Sequence, residues 1–115
     1  MLEAIYHEDR PWGAFRQFSL NEKSTVKILS VNPNSILSLQ YHNHRSEFWR
    51  VIKGSGFVIR DGEEIAVTKG DEFFIPQGMS HRLKTEDDSL EVLEISFGEF
   101  DENDITRMED SYGRK

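Results

Sequence analysis

Gln40, His42, Glu47 and His81 are the residues of this chain whose types and spacing could hold a divalent metal ion. Gln40 and His42 stand two positions apart. Successive side chains on a strand point to opposite faces, so that spacing aims both at one side of a sheet. Glu47 follows five residues after His42, the wrong parity for a continuous strand. The polar Asn43, His44, Arg45 and Ser46 between them predict a turn that resets it. His81 begins the strand that returns after a short apolar run and a Pro76-Gln77-Gly78 turn, and can supply a fourth ligand. Three of the four histidines, His42, His44 and His81, fall within two glycine-bounded blocks, 34–54 and 70–81, a clustering that chance explains poorly. Two imidazoles, one carboxylate and a neutral amide oxygen leave a metal with open positions, where it acts as a Lewis acid. The same two histidines and one carboxylate also suit ferrous iron and oxygen chemistry.

The composition narrows the options. The chain has no cysteine, so disulfides, thiolate metal sites and cysteine nucleophiles are excluded, and any metal must use nitrogen and oxygen ligands. The absence of thiols agrees with a reducing cytoplasm. A net charge of −7 argues against a nucleic-acid or anionic-membrane surface, because phosphate backbones are bound through Lys and Arg. No apolar run has the length of a membrane span, and the start of the chain lacks the basic-then-apolar pattern of a signal peptide. At 115 residues, a single cytoplasmic domain over 1–115 is expected.

The elements that must position these residues read as short strands. Segments 14–20, 25–31, 36–42, 47–53, 57–60, 63–67, 73–75, 81–84 and 90–97 carry alternating or apolar strand patterns separated by turn residues. Asp61-Gly62 is the strongest hairpin signal, and Gly54-Ser55-Gly56 reads as a tight reversal. Trp49, Phe57, Phe73 and Phe74 read as core. Trp12, in the bend Arg10-Pro11-Trp12-Gly13, either plugs the end of a barrel or belongs to a substrate site. Lys27 shares a face with Leu29 and Val31, which demands a partner, a cavity or a snorkelling path. No long segment has helical periodicity, so the fold class is all-β, a barrel or sandwich. The acidic tail from Gly98 is irregular, with at most a helical turn over 101–108.

The two blocks resemble the metal motifs of the cupin superfamily, with Asn34, Gln40, His42, Glu47 and Gly54 in the first and Gly70, Pro76, Gly78 and His81 in the second. Asn34 replaces the opening glycine, which Asn tolerates because it enters left-handed turns. Gln40 replaces the commoner histidine, and this Gln-x-His pair within 37–49 is similar to the type II mannose-6-phosphate isomerases, which form the C-terminal cupin of bifunctional isomerase/mannose-1-phosphate guanylyltransferases. Arg10-Pro11-Trp12-Gly13, Val26-Lys27, His81-Arg82, the segment 90–94, Asp104 to Arg107 and Asp110 to Arg114 also resemble family landmarks, while Thr85 stands where the family has Asn.

The resemblance implies a cupin double-stranded β-helix, or jelly-roll barrel. It also implies Gln40, His42, Glu47 and His81 as ligands of a divalent transition metal, zinc first, with manganese, cobalt, iron or nickel as alternatives. The implied reaction interconverts mannose 6-phosphate and fructose 6-phosphate. The proton moves between C1 and C2 through an enediol whose developing charge a metal stabilises. Candidate proton carriers are His44, beside the cage, and Glu94. Candidate phosphate ligands are Arg10, Lys27 and Arg82, then Arg45 and Arg107. A metal-dependent cupin oxygenase and a non-catalytic sugar-binding or regulatory cupin are the alternatives. The chain has no Gly-rich nucleotide loop, so nucleotidyl transfer is not expected. A small sugar phosphate is the expected partner, and open sheet edges suggest a homodimer.

Overall fold

The computed structural model describes residues 5–98, 101 and 103–109. Every regular element among them is a strand: β1 (Tyr6–Arg10), β2 (Gly13–Gln17), β3 (Ser24–Val31), β4 (Leu39–Tyr41), β5 (Ser46–Arg60), β6 (Glu63–Thr68), β7 (Glu72–Ile75), β8 (His81–Lys84), β9 (Leu90–Phe97) and β10 (Thr106–Glu109). All pairings are antiparallel. One layer runs β7-β5-β9-β3 and the other β10-β4-β8-β5-β6, so the two share β5. No helix among the described residues is long and apolar enough to cross a membrane.

The long strand β5 is the corner of the fold. Its first half pairs with β7 and β9, and its second half with β6 and β8. The register slips between Val51 and Lys53, and such an irregularity bends a strand and increases its twist. The reversal expected at Gly54-Ser55-Gly56 is therefore corrected, because the chain passes straight through. These glycines answer to crowding. Gly54 has φ 81°, and a Cβ there would overlap the Ser89 carbonyl; a Cβ on Gly56 would lie 2.7 Å from the Lys84 carbonyl oxygen. The true reversal comes at Asp61 (φ 50°) and Gly62 (φ 79°). Positive φ at both central residues is what a two-residue hairpin turn requires.

Val31, Trp49, Val51, Val58, Leu83, Leu90 and Val92 form the core between the layers, with contributions from β3, β5, β8 and β9. Leu83 and Leu90 are fully buried, each stabilising the fold by roughly 1.5–3 kcal/mol. Phe73 joins them, whereas Phe57 and Phe74 are only half-buried. A second apolar contact lies on the opposite face of β5, where Phe18, just after β2, meets fully buried Phe48 with ring centroids 5.1 Å apart.

Three expectations change. The opening polar segment forms a hairpin, β1 with β2, held to the barrel by Arg16, which donates to Glu72 at 2.7 and 3.0 Å. Trp12 sits at its tip and is 73% exposed, so it plugs nothing. The tail makes no helical turn over its described residues. Asp101 to Asp104 closes an Asp104 N–H to Asp101 carbonyl bond, and Thr106–Glu109 then adds to the edge of β4. An edge strand leaves backbone donors and acceptors open, and that demand outweighs weak local propensity. The landmark at Asp110 to Arg114 lies outside the described residues.

Candidate metal centre

His42, just past β4, Glu47 at the start of β5 and His81 at the start of β8 each offer one ligand atom, all within 4.8 Å of one another. All three are buried, with exposures of 3%, 1% and 3%. The turn at 43–45 does reset the parity, bringing Glu47 to the same interior as His42. Gln40 pairs directly across from His81. Its Nε2 donates to Ser38 Oγ at 3.0 Å, and its side chain lines the cavity that opens over the cluster.

The backbone fixes both rings. His42 Nδ1 lies 2.6 Å from the Asp104 carbonyl oxygen and His81 Nδ1 lies 3.0 Å from the Met79 carbonyl oxygen. A carbonyl only accepts, so both Nδ1 atoms carry the proton and, in neutral rings, both Nε2 atoms present lone pairs. Burial pushes both imidazoles below their ordinary value, His81 to about 4. His42 Nε2 lies 3.7 Å from Glu47 Oε2, and His81 Nε2 lies 3.5 Å from Glu47 Oε1. Without a proton between them these are opposed lone pairs rather than ion pairs.

Such a cluster is costly unless something positive fills it. Arg45 answers in part: its Nε donates to Glu47 Oε2 and its Nη2 to His42 Nε2, both at 3.2 Å. Glu47 Oε1 nevertheless stays buried without a hydrogen-bond partner, and burial raises the Glu47 carboxyl above its usual range despite Arg45. Two imidazole nitrogens and one carboxylate fit a divalent transition metal, and the orphaned oxygen is where such an ion would satisfy the protein.

A cavity of about 580 Å³ opens over this cluster between the layers. Lys27 pairs across from Glu94, and Glu94 across from Trp49, so the register lines up three side chains in one row. All three line the cavity, which explains a lysine on the face of Leu29 and Val31. Trp49 Nε1 donates to Glu94 Oε2 at 3.2 Å. Burial, and then the nearby Glu47 charge, raise the Glu94 carboxyl. A buried carboxyl with raised pKa in a cleft beside a metal-capable cluster marks a candidate functional group.

The structure thus brings Gln40, His42, Glu47, His81, Lys27, Arg82 and Glu94 to one cavity, together with the further candidates Arg45 and Arg107. It does not bring Arg10 or His44 there. Arg10 lies in β1, exposed, paired with Glu8 and stacked 5.3 Å over Phe15. His44 is exposed in the turn after His42, where its backbone N–H binds Asp104 Oδ2. Two contributors escaped the sequence reading. Trp49 reads as core and is buried, but a buried indole N–H needs an acceptor, a signal that was there to use. Asp104 begins a segment that resembles a family landmark, but it lies 62 residues from His42 and nothing local marks its bonds to the His42 turn.

A two-layered antiparallel barrel with two histidines and a glutamate turned inward defines a cupin. A cupin protein from Bacteroides fragilis superposes with a TM-score of 0.62 over 71% of this chain and 72% of that one, at 22% identity, a likeness of fold. The model of the family described as Mannose-6-phosphate isomerase C-terminal matches residues 3–110, and the chain belongs to that family. It is 40% identical over 116 positions to the xanthan biosynthesis protein XanB of Xanthomonas campestris pv. campestris, covering 97% of this chain and 25% of XanB. It is 36% identical over 107 positions to the mannose-1-phosphate guanylyltransferase ManC of Salmonella typhimurium, covering 91% of this chain and 22% of ManC. The chain therefore spans about a quarter of the length of these curated relatives.

Proposed function

We propose that this cupin is a metal-dependent aldose-ketose isomerase that interconverts mannose 6-phosphate and fructose 6-phosphate. The observation that carries the reading is that Glu94, a buried carboxyl with raised pKa, faces the same cavity as the ligand cluster. Family membership supplies the substrate class. Gln40, His42, Glu47 and His81 would hold the metal, zinc first, and the ion would supply Lewis-acid stabilisation of charge on the sugar oxygens. Glu94 takes the proton from C2 as the C1–C2 double bond of the enediol forms and returns it to C1. The C1 oxygen gains a proton and the C2 oxygen loses one, so the overall change is isomerisation. Trp49 holds the carboxylate in place through its Nε1 bond. Lys27, Arg82 and Arg107 give the cavity the positive charge that a phosphate requires. Glu94 takes the role of proton carrier in preference to His44 because Glu94 lines the cavity.

The test is turnover of mannose 6-phosphate by metal-stripped protein reloaded with zinc, manganese, cobalt, nickel or iron. Isomerisation that appears only on reloading supports the proposal. Metal bound without turnover would defeat it, and oxygen consumption with iron would favour an oxygenase.

A further inference from the structure

The tail residue Asp104 belongs to no block of the metal motif, yet it bonds to His42 and to the two residues that follow it. Its carbonyl oxygen accepts from His42 Nδ1 at 2.6 Å. Its carboxylate accepts from the backbone N–H groups of Asn43 at 2.8 Å and His44 at 2.9 Å. The residue is 8% exposed, so these bonds have little competition from water. The carboxylate thus clamps the two residues after His42, and the same clamp holds the Asp104 carbonyl against the imidazole. Arg45 Nη1 adds a longer bond to the Asp101 carbonyl at 3.4 Å, a second tie between tail and turn.

We propose that Asp104 is a positioning residue that locks His42 in the tautomer protonated at Nδ1, with the Nε2 lone pair aimed into the ligand cluster. A free imidazole populates both neutral tautomers and rotates about its side-chain bonds, and each wrong state removes one nitrogen from the cluster. Hydrogen bonds from a ligand histidine to the surrounding protein fix ring orientation and raise metal affinity. Here the fixing group is a backbone carbonyl, held by its own residue's side chain. The expected gain in metal affinity rests on the metal reading above, whereas the tautomer lock does not.

Two variants of the full chain test this. Asp104→Ala removes the clamp. Asp104→Asn keeps one acceptor but sets an N–H₂ group against the second backbone N–H, and serves where Asp104→Ala does not fold. Nitrogen-15 chemical shifts of His42 in metal-free protein should show one Nδ1-protonated tautomer in the natural chain and a tautomer mixture in the variants, because the Arg45 contact left on Nε2 is the longer of the two, 3.2 Å against 2.6 Å. Zinc titration should show affinity falling by about ten- to a hundredfold, with the His81 tautomer unchanged because Met79 holds that ring. A single unchanged His42 tautomer in a folded variant overturns the proposal, even if thermal stability falls. If the natural chain binds no metal at all, the metal reading fails and the nitrogen shifts alone decide the role of Asp104.

Discussion

His81→Gln in metal-free protein should flatten the acid side of the stability profile. Folded His81 titrates at about 4 because it is buried, against about 6.5 in an unfolded chain. Between those values the unfolded state takes a proton that the fold refuses. The contribution of His81 is therefore fully present above about pH 6.5 and is lost as pH falls towards 4. The full shift corresponds to roughly 3 kcal/mol, of which about 2 kcal/mol is lost between pH 7 and pH 5. Glu47 and Glu94 act in the opposite sense, since their raised values make the fold hold protons that the unfolded chain releases. Comparing the two proteins subtracts most of that carboxylate background. Urea unfolding at several pH values between 5 and 7, with chelator present, gives the two profiles. Parallel profiles for His81→Gln and the natural chain would refute the claim that His81 is buried neutral.

Two shorter predictions concern the corner and the cavity. Gly54→Ala should cost at least about 2 kcal/mol in urea unfolding, because it combines a left-handed backbone with overlap on the Ser89 carbonyl; a cost below 1 kcal/mol would contradict the packing described. Lys27→Met should raise KM for mannose 6-phosphate by roughly ten- to a hundredfold, the worth of one charge-assisted bond, while metal content and far-ultraviolet circular dichroism stay unchanged.

What the sequence disclosed follows physical lines. Strand alternation, the Asp61-Gly62 turn and the parity reset between His42 and Glu47 are local patterns, and the structure keeps them. The misread features depend on contacts distant in sequence. Gly54 is a glycine because Ser89 passes close by, and no pattern around Gly54 announces Ser89. Tail residues 106–109 are a strand because β4 offers an edge. Lys27 was legible as an anomaly, and the register Lys27–Glu94–Trp49 resolves it. His44 stands out by its type and its place beside His42, but side-chain direction in a turn is not fixed by strand parity, and here it is exposed.

The most direct test of the central claim compares the natural chain with Glu94→Gln, reading metal content and mannose 6-phosphate turnover on the same samples. Glutamine keeps an acceptor for Trp49 Nε1, so the fold and the ligand cluster should persist. The account predicts about one metal ion per chain in both proteins and a kcat lower by on the order of a hundredfold or more in the variant. Turnover that survives Glu94→Gln with metal still bound would contradict it.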